Sequence, residues 1–370
     1  MADCCATIDV PLSAQKHEGE KRMAREMSSH ESNSTGGVTQ GCPGRAADKF
    51  VLAVAPMAGI THSAFRRLLT ELGGCDQIYT EMLAGTALLG ERPDSPYLKR
   101  HPGDGKVIYQ LLLRDANRIE PIVDRLRSCL PDGLDLNCAC PAARVRRVGG
   151  GSDLFDDAPR LEAVLRELRR VWTGPLSVKV RLGRDSSDGW REAFLDRLRL
   201  IRDCGVNSLS INLRFAADRL TRPARHELLP WVCAEAGVPV TANGDITGPE
   251  TVAAHPERFA ACAGLMLGRM AVVRPWVFAA WRGGGADYAA PDLAGVWRRL
   301  VTLVREDFEP EKAFRPIRLF TCWYSRNFAF GNTLFGRVCY APDLETLLAR
   351  TEAFLAKNPA VADNPSMRDF

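Results

Sequence analysis

Past residue 48 the chain alternates between short apolar runs and longer amphipathic stretches. The apolar runs are Val51–Met57, Asp76–Glu81, Val107–Leu112, Leu134–Cys138, Leu176–Leu182, Ser208–Leu213, Pro239–Asn243 and Ala263–Leu267. Helical periodicity marks Ser63–Leu72, Arg118–Cys129, Ala158–Val171 and Trp190–Cys204 between them. Apolar strands separated by helices predict a parallel sheet covered on both faces. Eight such units predict a closed (β/α)8 TIM barrel. An open doubly wound sheet is the alternative. It usually carries GxGxxG or GxxxxGK[ST] after an early strand, and neither motif is present.

From about residue 285 the strand rhythm stops. Leu293–Phe308, Phe314–Asn327 and Leu344–Lys357 read as amphipathic helices. The expected organisation is a disordered tail (1–48), a barrel (49–285) and a helical domain (286–370). The tail is polar and rich in Ser, Glu, Gly and Lys, so it cannot bury enough apolar surface to offset the entropy of ordering. A weak helix around residues 15–27 is its one structured candidate.

Composition changes this picture little. A net charge of +4 is too mild to diagnose a partner. The twelve cysteines include no CxxC pair, which argues against a zinc ribbon or iron–sulfur site, and no metal is expected. Scattered cysteines in apolar runs suit reduced thiols and a cytoplasmic location. No stretch approaches the length of a membrane span, and the N-terminus lacks the apolar core of a secretory signal. A monomer is expected.

Chemistry concentrates at the strand exits, where barrels build their sites. The exits carry Ala55-Pro56-Met57, Thr80-Glu81-Met82, Gln110, Asn137-Cys138-Ala139-Cys140-Pro141, Lys179 with Arg181, Asn212-Leu213-Arg214, Asn243-Gly244-Asp245 and Gly268-Arg269. The last two close strands seven and eight, a common place for a phosphate site made of backbone N–H groups and glycine. Arg269 adds a charged contact there. Both cysteines after strand four read equally as buried packing residues. Arg144, Arg146, Arg147 and the glycines 149–151 follow, which places a thiol beside cations. Residues 313–340 hold Arg315, Arg318, Arg326 and Arg337 among eight aromatics, with no acidic residue. That is the composition of an RNA-contacting surface, although most of the aromatics are expected to be core.

Taken together in this order, these motifs resemble the tRNA-dihydrouridine synthases over about residues 50 to 357. Ala55-Pro56-Met57-Ala58-Gly59 resembles the family's opening motif, and Asp135-Leu136-Asn137-Cys138-Ala139-Cys140-Pro141 its DxNxGCP motif, with Ala139 in place of glycine. The form of that motif and the triple glycine are most similar to the bacterial subgroup acting at D-loop position 16. The resemblance implies FMN in the barrel mouth, NADPH as reductant and a uridine of the tRNA D-loop as substrate. It implies cofactor contacts at Ala55, Pro56, Met57, Gln110, Asn137, Lys179, Asn212, Arg214, Asn243, Gly244, Asp245, Gly268 and Arg269. It makes Cys140 the acid that protonates C5 while hydride reaches C6. It also suggests tRNA contacts at Arg144, Arg146, Arg147, Arg315, Arg318 and Arg326.

One departure is notable. The family carries His-Gly-Arg-Thr after strand six, and here the stretch is Asn212-Leu213-Arg214-Phe215. Asparagine hydrogen-bonds but carries no charge, and leucine lacks glycine's access to positive φ. Weaker cofactor retention or altered RNA contacts are expected. Two rival readings are a flavin barrel acting on a small pyrimidine and a tRNA-binding homologue without catalysis.

Overall fold

The computed structural model describes residues 49–218, 220–284 and 291–367. The expected disordered tail and its weak helix lie outside the described residues. Eight parallel strands close into a barrel: β1 (Val51–Val54), β2 (Gln77–Tyr79), β3 (Lys106–Leu112), β4 (Gly133–Cys138), β5 (Leu176–Arg181), β6 (Ser208–Asn212), β7 (Val240–Asn243) and β8 (Gly264–Leu267). Pairing of Val54 with Leu267 shuts the circle between β1 and β8. A two-residue strand, Leu83–Ala84, extends the sheet beside β3.

The strands are less uniformly apolar than their runs suggest. Leu134, Leu136 and Cys138 of β4 face the outer core under the helices, as do Val178 and Val180 of β5. The alternate positions, Asp135, Asn137, Ser177 and Lys179, are also buried but lie on the other side of each strand. Among the described residues, only Ala53, Ala55, Tyr79, Ile108 and Met266 form an apolar cluster of their own. One sector of the barrel interior, across β3 to β7, is therefore polar. Alternation of this kind inside a parallel barrel separates the helix-packing face from the chemical face.

Around the barrel run α1 (Ser63–Leu72), α2 (Ile119–Arg127), α3 (Ala158–Val171), α4 (Trp190–Asp203) and α5 (Leu229–Ala236). The start of α3 is fixed by Asp157, whose side chain accepts from the Arg160 N–H. Beyond the barrel follow α6 (Leu293–Asp307), α7 (Phe314–Tyr324), α8 (Gly331–Cys339) and α9 (Leu344–Leu355). α6 packs against α1 and ends in Asp307. The Asp307 side chain is fully buried and receives Ser63 Oγ at 2.5 Å, Lys99 Nζ at 2.8 Å and His101 Nε2 at 3.0 Å. This cluster joins the helical layer to the barrel. Among the described residues no helix is long and apolar enough to cross a membrane.

Candidate active site

A cavity of about 410 Å³ opens at the strand exits, within the size range of small-molecule sites. Its lining includes Ala55, Pro56, Met57, Lys179, Asn212, Arg214, Asn243, Gly244, Asp245, Gly268 and Arg269. The barrel thus gathers residues more than 200 positions apart around one space. Gln110, Asn137 and Cys140 are not in that lining. Gln110 and Asn137 are buried within the barrel, whereas Cys140 is half-buried after β4.

Lys179 is buried, and its Nζ donates to Asn243 Oδ1 at 2.8 Å. Burial, reinforced by the Arg181 charge, lowers its pKa to about 8. Asn243 also accepts from Asn212 Nδ2 at 3.3 Å and donates to the Met266 carbonyl at 2.8 Å. The residue in the family's histidine position is therefore tied into the Lys179–Asn243 pair. Its Oδ1 is buried with no partner. Leu213 is fully buried and does not adopt positive φ, so the missing glycine leaves no strain there.

The turn after β7 has Gly244 at φ +105° and Asp245 at φ +52°. The expected cofactor role of Asp245 changes character here. Its carboxylate is held by Arg214 Nη2 at 2.5 Å, Arg269 Nη2 at 3.0 Å and the Ala224 N–H at 2.9 Å. Burial raises its pKa, yet the Arg214 and Ala224 hydrogen bonds and the two guanidinium charges outweigh this and leave it lowered. The carboxylate anchors two arginines, and His226 Nε2 lies 2.8 Å from the Gly244 carbonyl and braces the same turn. A Cβ on Gly244 would lie 3.0 Å from Arg214 Nη1 and 3.2 Å from Asn212 Oδ1. Both atoms are buried and unpartnered. An orphan donor and an orphan acceptor thus flank space that only glycine leaves open. Cations, an open backbone turn and an unmatched donor–acceptor pair fit a phosphorylated, hydroxyl-bearing cofactor such as FMN.

Cys140 sits in a gripped loop. Its N–H and that of Ala139 donate to Asn137 Oδ1 at 3.0 and 3.1 Å. Its carbonyl accepts from the Ser152 N–H at 3.1 Å. A Cβ on Gly151 would lie 2.5 Å from that carbonyl, which explains a glycine of the triple run. Arg181 Nε holds the neighbouring Ala139 carbonyl at 2.9 Å, a role not apparent from sequence. Ala139 does not adopt positive φ, so its Cβ is tolerated in the motif. Cys138 is fully buried and its thiol pKa is raised by burial, so it is the packing residue of the pair. Arg144 and Arg147 are exposed on the short helix Ala143–Arg147, and Arg146 is half-buried. Glu81 was not assigned a role from sequence. It is buried, accepts from the Gly59 N–H at 2.7 Å and is pushed up to about 7 by burial.

On α7, Arg315 is exposed and Arg318 lies over the Phe314 ring, 5.0 Å from its centroid. Arg326 lies 4.4 Å from the Trp323 ring centroid and donates to the Ser366 carbonyl at 2.6 Å. Six of the eight aromatics in this stretch are buried or half-buried, whereas Phe330 and Tyr340 are exposed. The C-terminal segment also reaches the cavity, where the Met367 carbonyl accepts from Arg269 Nη1 at 2.5 Å.

A parallel barrel with a cation-lined mouth and a thiol on the loop after its fourth strand defines an α/β-barrel enzyme scaffold. Residues 53–337 match the family model described as dihydrouridine synthase. The chain is 32% identical over 290 residues to tRNA-dihydrouridine synthase B of Escherichia coli K12, covering 75% of this chain and 87% of the relative. It is 27% identical over 313 residues to the protein of that name from Pseudomonas putida, covering 83% and 91%. An old yellow enzyme homologue from Zymomonas mobilis overlaps 67% of the chain and 92% of its own at 12% identity, with a TM-score of 0.47, too low to bear on the site. The chain belongs to the dihydrouridine synthase family. Both relatives described carry the B designation, so they do not support the narrower likeness to the subgroup acting at position 16.

Proposed function

We propose that the protein reduces a uridine of the tRNA D-loop to 5,6-dihydrouridine, with FMN in the cavity and NADPH as reductant. The observation that carries this reading is the cavity wall itself, with buried Lys179 beside a glycine turn that is flanked by the unpartnered Asn212 Oδ1 and Arg214 Nη1. Lys179, Asn212 and Asn243 would hold the polar edge of the cofactor. Arg214, Gly244, Arg269 and the backbone of Asp245 would hold its phosphate. When bound, FMN supplies the hydride that uridine C6 accepts.

The protein's remaining task is the proton. A thiol that carries its proton serves as an acid toward C5. Cys140 is partly exposed on a loop gripped at both its N–H and its carbonyl. The target base must leave its stack to reach that thiol, and unstacking costs a few kcal/mol that contacts elsewhere on the tRNA must repay. Arg144, Arg146, Arg147, Arg315, Arg318 and Arg326 would supply those contacts. The enzyme works as a cytoplasmic monomer in this reading, from the barrel 49–285 and the helical domain 286–370.

The test begins with the visible spectrum of purified protein before and after adding FMN, followed by tRNA reduction with NADPH. Retained flavin absorbance and dihydrouridine in the product are expected. Cys140→Ala should keep flavin and tRNA binding yet form almost no dihydrouridine. A colourless protein that takes up no FMN would overturn the reading in favour of tRNA binding without catalysis.

A further inference from the structure

Three side-chain groups connect the barrel interior to the Cys140 loop. Asp135 Oδ2 accepts from Gln110 Nε2 at 2.7 Å. Gln110 Oε1 accepts from Asn137 Nδ2 at 2.8 Å. Asn137 Oδ1 accepts from the N–H groups of Ala139 and Cys140. Asp135, Gln110 and Asn137 are all buried. Ser177 Oγ braces the other carboxylate oxygen at 2.6 Å.

The direction of this chain follows from its ends. An ionised carboxylate only accepts, and a backbone N–H only donates. Two amides between them can satisfy both ends in one orientation only. Were the pair turned around, the Asn137 amide nitrogen would face two N–H groups, and the Gln110 oxygen would face a carboxylate. In a dry interior either mismatch is costly, and aligned hydrogen bonds polarise one another. Asp135 itself is expensive to keep. Burial raises its pKa to about 6, against the lowering effects of Ser177, Gln110 and Lys179. A position that served packing alone would be better filled by an apolar side chain.

We propose that Asp135 is a positioning residue for Cys140, acting through Gln110 and Asn137. It orients both amides so that Asn137 presents an acceptor to the Cys140 N–H, which fixes where the thiol stands above the barrel. That this placement serves proton delivery to uridine rests on the reading given under Proposed function. The placement itself does not.

The relay is tested by the rate at which iodoacetamide alkylates Cys140 in the full chain without tRNA, mapped by mass spectrometry. Cys138, fully buried two residues away, reports loss of fold if it reacts. Asp135→Leu and Asn137→Ala should each raise the Cys140 rate about fivefold, the factor that one lost hydrogen bond confers. The double variant should exceed Asn137→Ala alone by little, because the two act in series. Asp135→Asn, which still accepts from Gln110, should stay near the wild-type rate. In turnover, Asp135→Leu should lower kcat with KM for tRNA unchanged, and Asp135→Asn should restore it. A wild-type Cys140 rate in Asp135→Leu, or multiplicative effects in the double variant, would overturn the proposal. Should Asp135→Leu expose Cys138, Gln110→Met breaks the same relay while leaving the carboxylate on Ser177, and an unchanged rate there is equally fatal. If the wild-type protein forms no dihydrouridine, the functional reading fails while the alkylation rates still decide the relay.

Discussion

Asp135 shows how a single buried carboxyl carries both a cost and a use. Its pKa moves from 3.8 to about 6, chiefly through burial. The folded state therefore holds its proton more tightly than the unfolded state does. The sign follows from linkage: this group's contribution to stability is complete below pH 3.8 and is lost as pH rises through about 6. The full loss corresponds to about 3 kcal/mol. Asp135→Asn carries no such dependence. Its stability relative to wild type should improve by about 1.5 kcal/mol between about pH 5 and pH 7.5, read from thermal melts across that range. A gap constant with pH would mean that the carboxyl titrates alike in both states. The neighbouring Lys179 is displaced in the opposite sense by the same burial, so the barrel floor holds a carboxyl pushed up and an amine pushed down within one polar sector.

At the level of elements, the turn after β7 is where local backbone geometry and cavity shape meet. Gly244 has φ +105°, and its missing side chain leaves the space between Arg214 Nη1, Ala224 and Asn212. Gly183, at φ +117°, has nothing within reach of an added Cβ. The two glycines separate backbone strain from crowding. Gly183→Ala and Gly244→Ala should each cost about 1–3 kcal/mol from strain alone. Only Gly244→Ala should also lose bound flavin, measured as absorbance retained after gel filtration. Equal flavin retention in both would remove this turn from the cofactor site. The eight strands were legible in the sequence because each is a short apolar run ended by a polar or glycine signal, as in Leu176–Arg181. The short helices Ala143–Arg147, Ser152–Asp156 and Arg269–Val273 were not, because barely more than one turn shows no period. The strand exits likewise singled out Lys179 and Asn243, which stand side by side in the cavity wall. They could not reveal that Arg181 grips the Ala139 carbonyl, or that the Asp245 carboxylate is taken up by Arg214 and Arg269. Those facts depend on which residue stands opposite on the next strand or loop, and register is a tertiary property.

Over the whole molecule, the helical layer is seated so that its cations lie at the cavity's end of the barrel. α7 packs against the short helix Arg269–Val273 that follows β8, and Leu319 Cδ2 would lie 2.9 Å from a Cβ on Gly59, just past β1. Arg315 and Arg318 project from this same helix, one turn apart. Arg318 rests over the Phe314 ring and Arg326 over the Trp323 ring, so each guanidinium is ordered by a cation–π contact. Pre-ordered arginines lose less entropy on meeting a phosphate than free ones do. The buried Asp307 cluster fixes this layer to α1 and the 99–101 loop. Replacing Arg315, Arg318 and Arg326 together with alanine should therefore weaken tRNA binding while leaving flavin absorbance intact. Each phosphate contact removed should lower the slope of log K against log salt by about one, for a total loss of about two to three. Binding isotherms across a salt series measure this directly. An unchanged slope would mean that these arginines serve their rings and the C-terminal segment alone, and that the RNA lies along Arg144, Arg146 and Arg147 instead.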